Sequence, residues 1–423
     1  MKYNKKTLSN GLKLITIPMK DLKSATILVL VGTGSRYESS KNNGIAHFIE
    51  HMFFKGTQKR TNTMDISSEI DSLGADYNAF TGKEYTGYYI KAASSHLKTA
   101  VDILSDMLIN SKFDKDEIER EKGVIVEEIN MYEDTPMRHV GDLYEQLIFQ
   151  GNPLSFDTAG EKDVVRSFTR EMFTDYLSNF YVANNMVVVV SGDITTQQVE
   201  PLIEEYFSPL KTRDVPSYEK YIQNQKEPLI NVNYKKTDQA HFCLGLRSNQ
   251  IGHPDRYATT VFNTIMGGNM SSRLFIEVRE RRGFCYYISS DNEAHLDTGS
   301  WVIQAGVDVN RIDEALTTIL DELKKIIKTD ITPKELTKAK DYLKGKLALG
   351  LEDSKGVANL YGAGELLESK IRTPDEIIKG IDSVTIEDVS RIAKNTIKHE
   401  KLSFCVIGPY EDDTRFTKLI TLK

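Results

Sequence analysis

Two stretches of this chain repeat each other, and that repeat is the strongest constraint on its fold. Phe168-Thr169-Arg170-Glu171, running on through Met186-Val187-Val188 to Gly192, lines up with Val384-Thr385-Ile386-Glu387 through Leu402-Ser403-Phe404 to Gly408. Phe113-Asp114-Lys115-Asp116-Glu117-Ile118 likewise matches Ile331-Thr332-Pro333-Lys334-Glu335-Leu336. The offset is about 216 to 218 residues, and a repeat on this scale means two related domains. Strand and helix patterns alternate within each half. The expected class is therefore α+β: two structurally repeated α/β domains, each a mainly antiparallel sheet packed with helices. Residues 209–228 are polar with three prolines and read as a linker. The expected division is residues 1–208, the linker 209–228, and residues 229–423.

The first half supplies the local signals. Asn10-Gly11 is a hairpin-turn dipeptide. Residues 25–31 are continuously apolar and read as a central strand. Residues 76–81 and 85–92 are dense in Tyr, Phe and Thr and read as strands. Residues 97–109 and 113–132 read as helices from their apolar spacing.

The chemistry-bearing stretch is Gly44-Ile45-Ala46-His47-Phe48-Ile49-Glu50-His51-Met52. Ile45, Phe48, Ile49 and Met52 recur at helical spacing. His47 and His51, four apart, project from one face of that helix. Two imidazoles so placed suit one zinc ion, at about 2.0–2.1 Å each. Glu50 stands beside them, where a carboxylate can act as general base. The order is H-x-x-E-H, the inverse of H-E-x-x-H.

The helix over 113–132 carries a second signal. Its apolar face is Ile118, Ile125, Ile129 and Tyr132. At about 100° per residue, Glu121 and Glu128 fall within that face, whereas Glu127 points nearly opposite. An unpaired buried carboxylate costs several kcal/mol. Either nearby Lys or Arg side chains pair with both, or a metal compensates one. Beside His47 and His51 the metal is favoured, with Glu128 as third ligand and Glu121 orienting a ligating histidine.

Composition excludes several classes. The net charge is −7 with no basic stripe, which gives no footing for nucleic acid. The first 19 residues lack the apolar core of a signal peptide, and no run reaches the ~18 apolar residues of a membrane span. Cys243, Cys285 and Cys405 are odd in number and far apart, and read as reduced strand or core residues. The expected location is cytoplasmic.

In the second half, Gly267-Gly268-Asn269-Met270-Ser271-Ser272-Arg273 leads to Arg279-Glu280-Arg281-Arg282-Gly283-Phe284-Cys285-Tyr286. No Gly-Lys-Ser/Thr follows the glycine pair, so it is no phosphate loop. Arg279 is expected to end a helix, and Tyr286 to begin a strand after the Gly283 turn. The second half has no H-x-x-E-H, and the repeat places Lys346 opposite Glu128.

These residues together resemble the pitrilysin/insulinase-type zinc metallopeptidases over nearly the whole chain. The resemblance rests on His47-x-x-Glu50-His51, the Glu121 and Glu128 pair, Asn78-Ala79-Phe80-Thr81, and Arg279 with Tyr286. It implies that His47, His51 and Glu128 bind one zinc per chain and that Glu50 activates water. It implies that the strand with Asn78, Ala79 and Phe80 pairs with substrate backbone, and that Arg279 and Tyr286 contact substrate near the scissile bond. It implies an endopeptidase acting on short or unfolded peptides in a chamber closed by two halves, of which this chain supplies one, so that a homodimer is expected. The family also contains non-catalytic partner chains, which typically lack the zinc triad. Two departures stand out: Leu73-Gly74 precedes the substrate strand where the family usually has Gly-Gly, and the long glycine-rich loop of non-catalytic processing subunits is absent.

Overall fold

Residues 24–31 are apolar on both faces, so they can lie only where neighbours cover both sides. The computed structural model, which describes residues 1–328 and 331–422, makes them an inner strand. The first sheet contains β1 (Asn4–Thr7), β2 (Lys13–Pro18), β3 (Ser24–Val31), β4 (Asp76–Thr81), β5 (Thr86–Ala93) and β6 (Met186–Gly192), in the order β1-β2-β6-β3-β5-β4. Only β2 and β6 run parallel; the other neighbours are antiparallel. The β1–β2 turn uses Gly11 at φ +86°, with Leu8 N donating to Leu12 O at 2.8 Å. A left-handed residue there strongly favours glycine.

The second sheet contains β7 (Leu229–Tyr234), β8 (Gln239–Ser248), β9 (Cys285–Ala294), β10 (Gly299–Asp308) and β11 (Ser403–Gly408), in the order β7-β11-β8-β10-β9. Its single parallel pair is β7 with β11. Strand for strand this is the order and direction of β2-β6-β3-β5-β4. The repeat seen in sequence is thus a repeat of topology, with β9 as the counterpart of β4.

The compact units cut across the contiguous division expected at residues 209–228. One consists of 1–130, 156–219 and 348–374, the other of 131–155, 220–347 and 375–423. Each sheet has a face covered by a helix from the opposite half of the chain. Pro136–Ile148 lays Val140, Tyr144 and Ile148 against Cys243, Val302, Cys405 and Ile407 of the second sheet. Tyr144 and Ser300 share a hydroxyl hydrogen bond of 2.7 Å in that contact. Ser354–Glu368 lays Val357, Ala358 and Tyr361 on Ile15, Leu28, Leu30, Val187 and Val189 of the first. Thr26 and Ser354 hydroxyls meet there at 2.8 Å, and Ser191 Oγ donates to Ser354 O at 2.7 Å. The two helices occupy equivalent repeat positions and are exchanged. The physical reason is burial: each sheet face is apolar and needs a cover, and the exchanged helix supplies the apolar stripe.

This exchange makes residues 1–208 incomplete. Expressed alone they should bind ANS and lack the cooperative melt of the full chain, because Leu28, Leu30, Val187 and Val189 lose their cover. Tethering residues 348–374 to that fragment should restore compactness, measured by proteolysis and circular dichroism. In the full chain, Tyr361→Ala should cost about 3–5 kcal/mol, the usual range for truncating a fully buried aromatic. A fragment of residues 1–208 as stable as the whole would overturn this account.

Candidate metal centre

The helix Ile45–Met52 carries His47, Glu50 and His51. Ile45, Phe48, Ile49 and Met52 are all buried, and the Phe48 ring packs on Phe168 and Phe173 at 5.7 and 4.8 Å. The helix starts at Gly44, which sits at φ +94°. A Cβ there would lie 2.7 Å from Ala159 O and 2.8 Å from Gly160 Cα, so glycine is required for both reasons. Gly44 provides no side-chain cap. The buried carboxylate of Glu38 takes that place. It accepts from Gly44 N at 2.7 Å, Ala46 N at 2.9 Å and Asn43 Nδ2 at 2.9 Å. Burial pushes the Glu38 carboxyl up to about 7, against the pull of these three donors.

The helix Lys115–Glu133 brings in the acids. Glu121 is buried, Glu128 half-buried and Glu127 exposed. His47 Nε2 lies 3.8 Å from Glu128 Oε1, and His51 Nε2 lies 3.4 Å from Glu128 Oε2. Among the described residues, His47, His51 and Glu128 form the one group whose donor atoms, one from each, all lie within 4.8 Å of one another. Donors about 2.0–2.1 Å from one tetrahedral ion stand about 3.3–3.4 Å apart. The spacing therefore fits a single ion, and the two-nitrogen, one-carboxylate set suits zinc.

Glu121 acts one step back. Its Oε1 is 2.8 Å from His51 Nδ1, which leaves His51 Nε2 facing Glu128. Its other oxygen meets Lys55 Nζ at 2.6 Å. Of the two acids, Glu121 has a lysine partner and Glu128 faces both histidines. Burial alone would raise the Glu121 carboxyl, but His51 and Lys55 bring it below its ordinary value. Burial alone would lower the His51 imidazole, and the Glu121 hydrogen bond and charge, with Glu128 and Glu50, raise it instead.

Glu50 is held from the sheet. Thr81 Oγ1 donates to Glu50 Oε2 at 2.5 Å. Burial raises the Glu50 carboxyl, the Thr81 bond opposing it. A carboxyl shifted in that direction moves toward the range in which proton transfer at neutral pH is efficient.

Beside this group lies the free edge of the first sheet, strand β4. Tyr77, Ala79 and Thr81 share one of its faces, the face where Thr81 reaches Glu50 and the Tyr77 ring meets Phe54 at 6.0 Å. Gly82 N donates to Tyr85 O at 3.0 Å. Antiparallel bonding alternates, so in this register Phe80 and Asn78 bond inward to β5. Tyr77, Ala79 and Thr81 then turn their backbone groups to the open edge, where Asn78 Oδ1 accepts from Ala79 N at 2.9 Å.

Arg279 and Tyr286 belong to the second unit. Arg279 stands on Phe275–Glu280, a wide π-type turn rather than the end of the ordinary helix expected. Its guanidinium carbon is 4.7 Å from the Phe275 ring centre and 5.8 Å from that of Tyr286. Gly283, at φ +60°, turns the chain into β9, where Tyr286 is 79% exposed.

Sequence reading missed Glu38, Lys55 and Thr81. A helix that opens on glycine needs an outside acceptor, and Glu38 is the nearest upstream acid. Strand alternation from Ala79 was the available signal for Thr81.

Comparison with known proteins gives the same picture. Residues 15–162 match the model of the insulinase family, peptidase family M16, and residues 167–343 that of the peptidase M16 inactive domain. The chain is 35% identical over 403 residues to the uncharacterized zinc protease YmxG of Bacillus subtilis (strain 168), covering 95% of this chain and 97% of that one. It is 34% identical over 412 residues to an uncharacterized zinc protease of Streptomyces coelicolor, covering 96% and 89%. In fold it is similar to the crystal structure of a protease from Helicobacter pylori, with a TM-score of 0.91, 24% identity and coverage of 96% and 100%. It is also similar to a peptidase M16 inactive domain from Pseudomonas fluorescens, with a TM-score of 0.90, 18% identity and coverage of 97% and 98%. With relatives above 30% identity aligned over almost their full length, the chain belongs to the insulinase, or pitrilysin-type, family of peptidases, M16.

Proposed function

We propose that this protein is a zinc metalloendopeptidase that hydrolyses short or unfolded peptides in a chamber formed by two copies. The observation that carries the reading is the convergence of His47, His51 and Glu128 donor atoms, with Glu50 between the two histidines in sequence and an open strand edge alongside. His47, His51 and Glu128 would hold one zinc per chain. When bound, zinc supplies Lewis-acid polarisation of the scissile carbonyl and a water whose pKa falls to about 7. Glu50 takes the proton from the attacking water and delivers it to the leaving amine. Glu121 fixes the tautomer and aim of His51, and Lys55 balances its charge.

The substrate would pair as an added strand on β4, beside Asn78, Ala79 and Phe80; Asn78 and Phe80 lock that strand to β5, and a substrate carbonyl would displace Asn78 Oδ1 from Ala79 N. Backbone pairing gives affinity with little sequence demand, so specificity is loose. Arg279 would hold substrate and Tyr286 stabilise the developing oxyanion. The family resemblance supports a reading in which that pair acts at the metal site of a partner copy, and with it a twofold homodimer.

Metal content by mass spectrometry and mapped cleavage of a mixed peptide library test the reading directly. Glu128→Gln should lower zinc occupancy, whereas Glu127→Gln should leave it at one per chain. Equal loss in both would remove Glu128 from the ligand set. Glu50→Gln should keep zinc and lose about 10²–10⁴-fold in kcat, since it removes a base and no ligand. A zinc-free Glu50→Gln protein would point to a structural role.

The shared site has its own test. Chains carrying His47→Ala, mixed with chains carrying Tyr286→Phe, should recover about a quarter of wild-type activity if the tyrosine acts across the dimer. No recovery, with mixed dimers shown to form, would place both groups within one chain.

A further inference from the structure

We infer that Thr81 is a positioning residue that couples strand pairing on β4 to the aim of the Glu50 carboxylate. The inference rests on the peptidase reading above. Its ground is one side chain that belongs to two pieces of the site at once.

On one side, Thr81 Oγ1 donates to Glu50 Oε2 at 2.5 Å. Among the described residues this is the hydrogen bond that fixes the Glu50 side chain. It occupies one carboxylate oxygen and leaves the other for a proton in transfer. A carboxylate on two flexible carbons has no such preference of its own. Threonine is suited to the task because branching at Cβ restricts χ1, so the backbone of β4 dictates where the hydroxyl points.

On the other side, Thr81 is among the residues whose backbone groups face the open edge. It pairs with Thr86 in β5, and the bonded pairs alternate with it at Phe80–Gly87 and Gly82–Tyr85. The next residue is immobilised. Gly82 O accepts from Ser35 N at 3.2 Å, and Arg36 N donates to Lys83 O at 2.9 Å. The fit is close: a Cβ on Gly34 would lie 2.1 Å from Gly82 O. Behind it, the buried Arg36 guanidinium pairs with the buried Glu84 carboxylate. The end of β4 is thus pinned at Gly82, while its edge at Thr81 is open; one residue pair back, Ala79 N already donates to Asn78 Oδ1 at 2.9 Å. A peptide pairing there orders the backbone of Thr81, and through χ1 it orders the hydroxyl that holds Glu50.

The consequence is a division of effects. Removing the hydroxyl disturbs the base and not the pairing surface, so kcat falls and KM holds. Thr81→Val, which keeps the branched shape, should lose about tenfold to a hundredfold in kcat, the scale of a small misplacement of a reacting group. Its KM and zinc content should match wild type. Thr81→Ser keeps the hydroxyl and should recover most of kcat. Peptides N-methylated at the amide that pairs with the β4 edge should show reduced kcat in wild type and little further reduction in Thr81→Val, because the coupling is already broken there.

The outcomes separate two failures. Wild-type protein without zinc-dependent cleavage, or fully active Glu50→Gln protein, sinks the peptidase reading and this inference with it. With wild type active and Glu50→Gln inactive, wild-type kcat in Thr81→Val overturns the role of Thr81 alone. So does a kcat loss in Thr81→Ser as large as that in Thr81→Val, which would indicate a packing effect with no dependence on the hydroxyl.

Discussion

The helix that carries His47, Glu50 and His51 is eight residues long, and their arrangement depends on its being held from outside at both ends. Helices below about 12–15 residues are marginal on their own propensity. At the N-terminus, Glu38 satisfies two orphan backbone donors and takes the favourable position for negative charge. Asn43 ties the same carboxylate to Asp157 O at 2.8 Å, so the loop that crowds Gly44 is fastened to its cap. Beyond the C-terminus, Arg60 is buried and gathers Glu69, Asp102 and Asp106 at 2.6 to 2.8 Å. That fastens the chain after the metal helix to the helix Leu97–Asn110. Between these anchors the helix fixes the spacing of His47, Glu50 and His51.

The charges of the site form a chain of compensation. Lys55 faces Glu121, Glu121 faces His51, and His51 faces Glu128. Each buried charge has an opposite or hydrogen-bonding neighbour, which is the condition for keeping it ionised away from water. Glu128 ends the chain: its oxygens face the nitrogens of both histidines, 3.4 and 3.8 Å away. A divalent cation placed among those three donors completes the sequence of alternating charge, whereas without one two imidazoles and a carboxylate share that space. This explains why the helical-face argument could separate Glu128 from Glu127: only the half-buried acid has a compensation to make.

What was legible in the sequence was whatever a local period could encode. Apolar spacing gave the helix around His47, alternation gave β4 and β5, and the repeat gave two sheets of one topology. The exchange of Pro136–Ile148 and Ser354–Glu368 was not legible. An amphipathic stripe states that a helix covers an apolar face, and both sheets offer one; which sheet receives it is a matter of long-range packing. Glu38 was hidden for a related reason. Its role is a through-space cap six residues upstream of the glycine it serves, and cap signals are read from immediate neighbours. The π-type turn under Arg279 has no periodic signature at all.

The second unit shows what the first retains for chemistry. The helix Arg256–Met266 follows β8 and precedes β9 in the chain, as the helix Ile45–Met52 follows β3 and precedes β4. Its polar side chains are committed to structure: Asn263 Oδ1 accepts from Trp301 Nε1 at 2.8 Å and from Ser290 Oγ at 2.6 Å. The counterpart of the acidic helix, Pro333–Gly350, buries only Ala339 among its residues, and carries Lys346 where the repeat places Glu128. The repeat places the buried Ala339 opposite Glu121 and the exposed Lys346 opposite Glu128, so this helix turns no carboxylate inward at either position. What the second unit keeps instead is the edge strand, β9, and on it a tyrosine that is almost fully exposed. Within its own unit the ring meets the Arg279 guanidinium at 5.8 Å, and the rest of the side chain stands in solvent, so packing there does not account for an exposed aromatic at the edge that corresponds to β4.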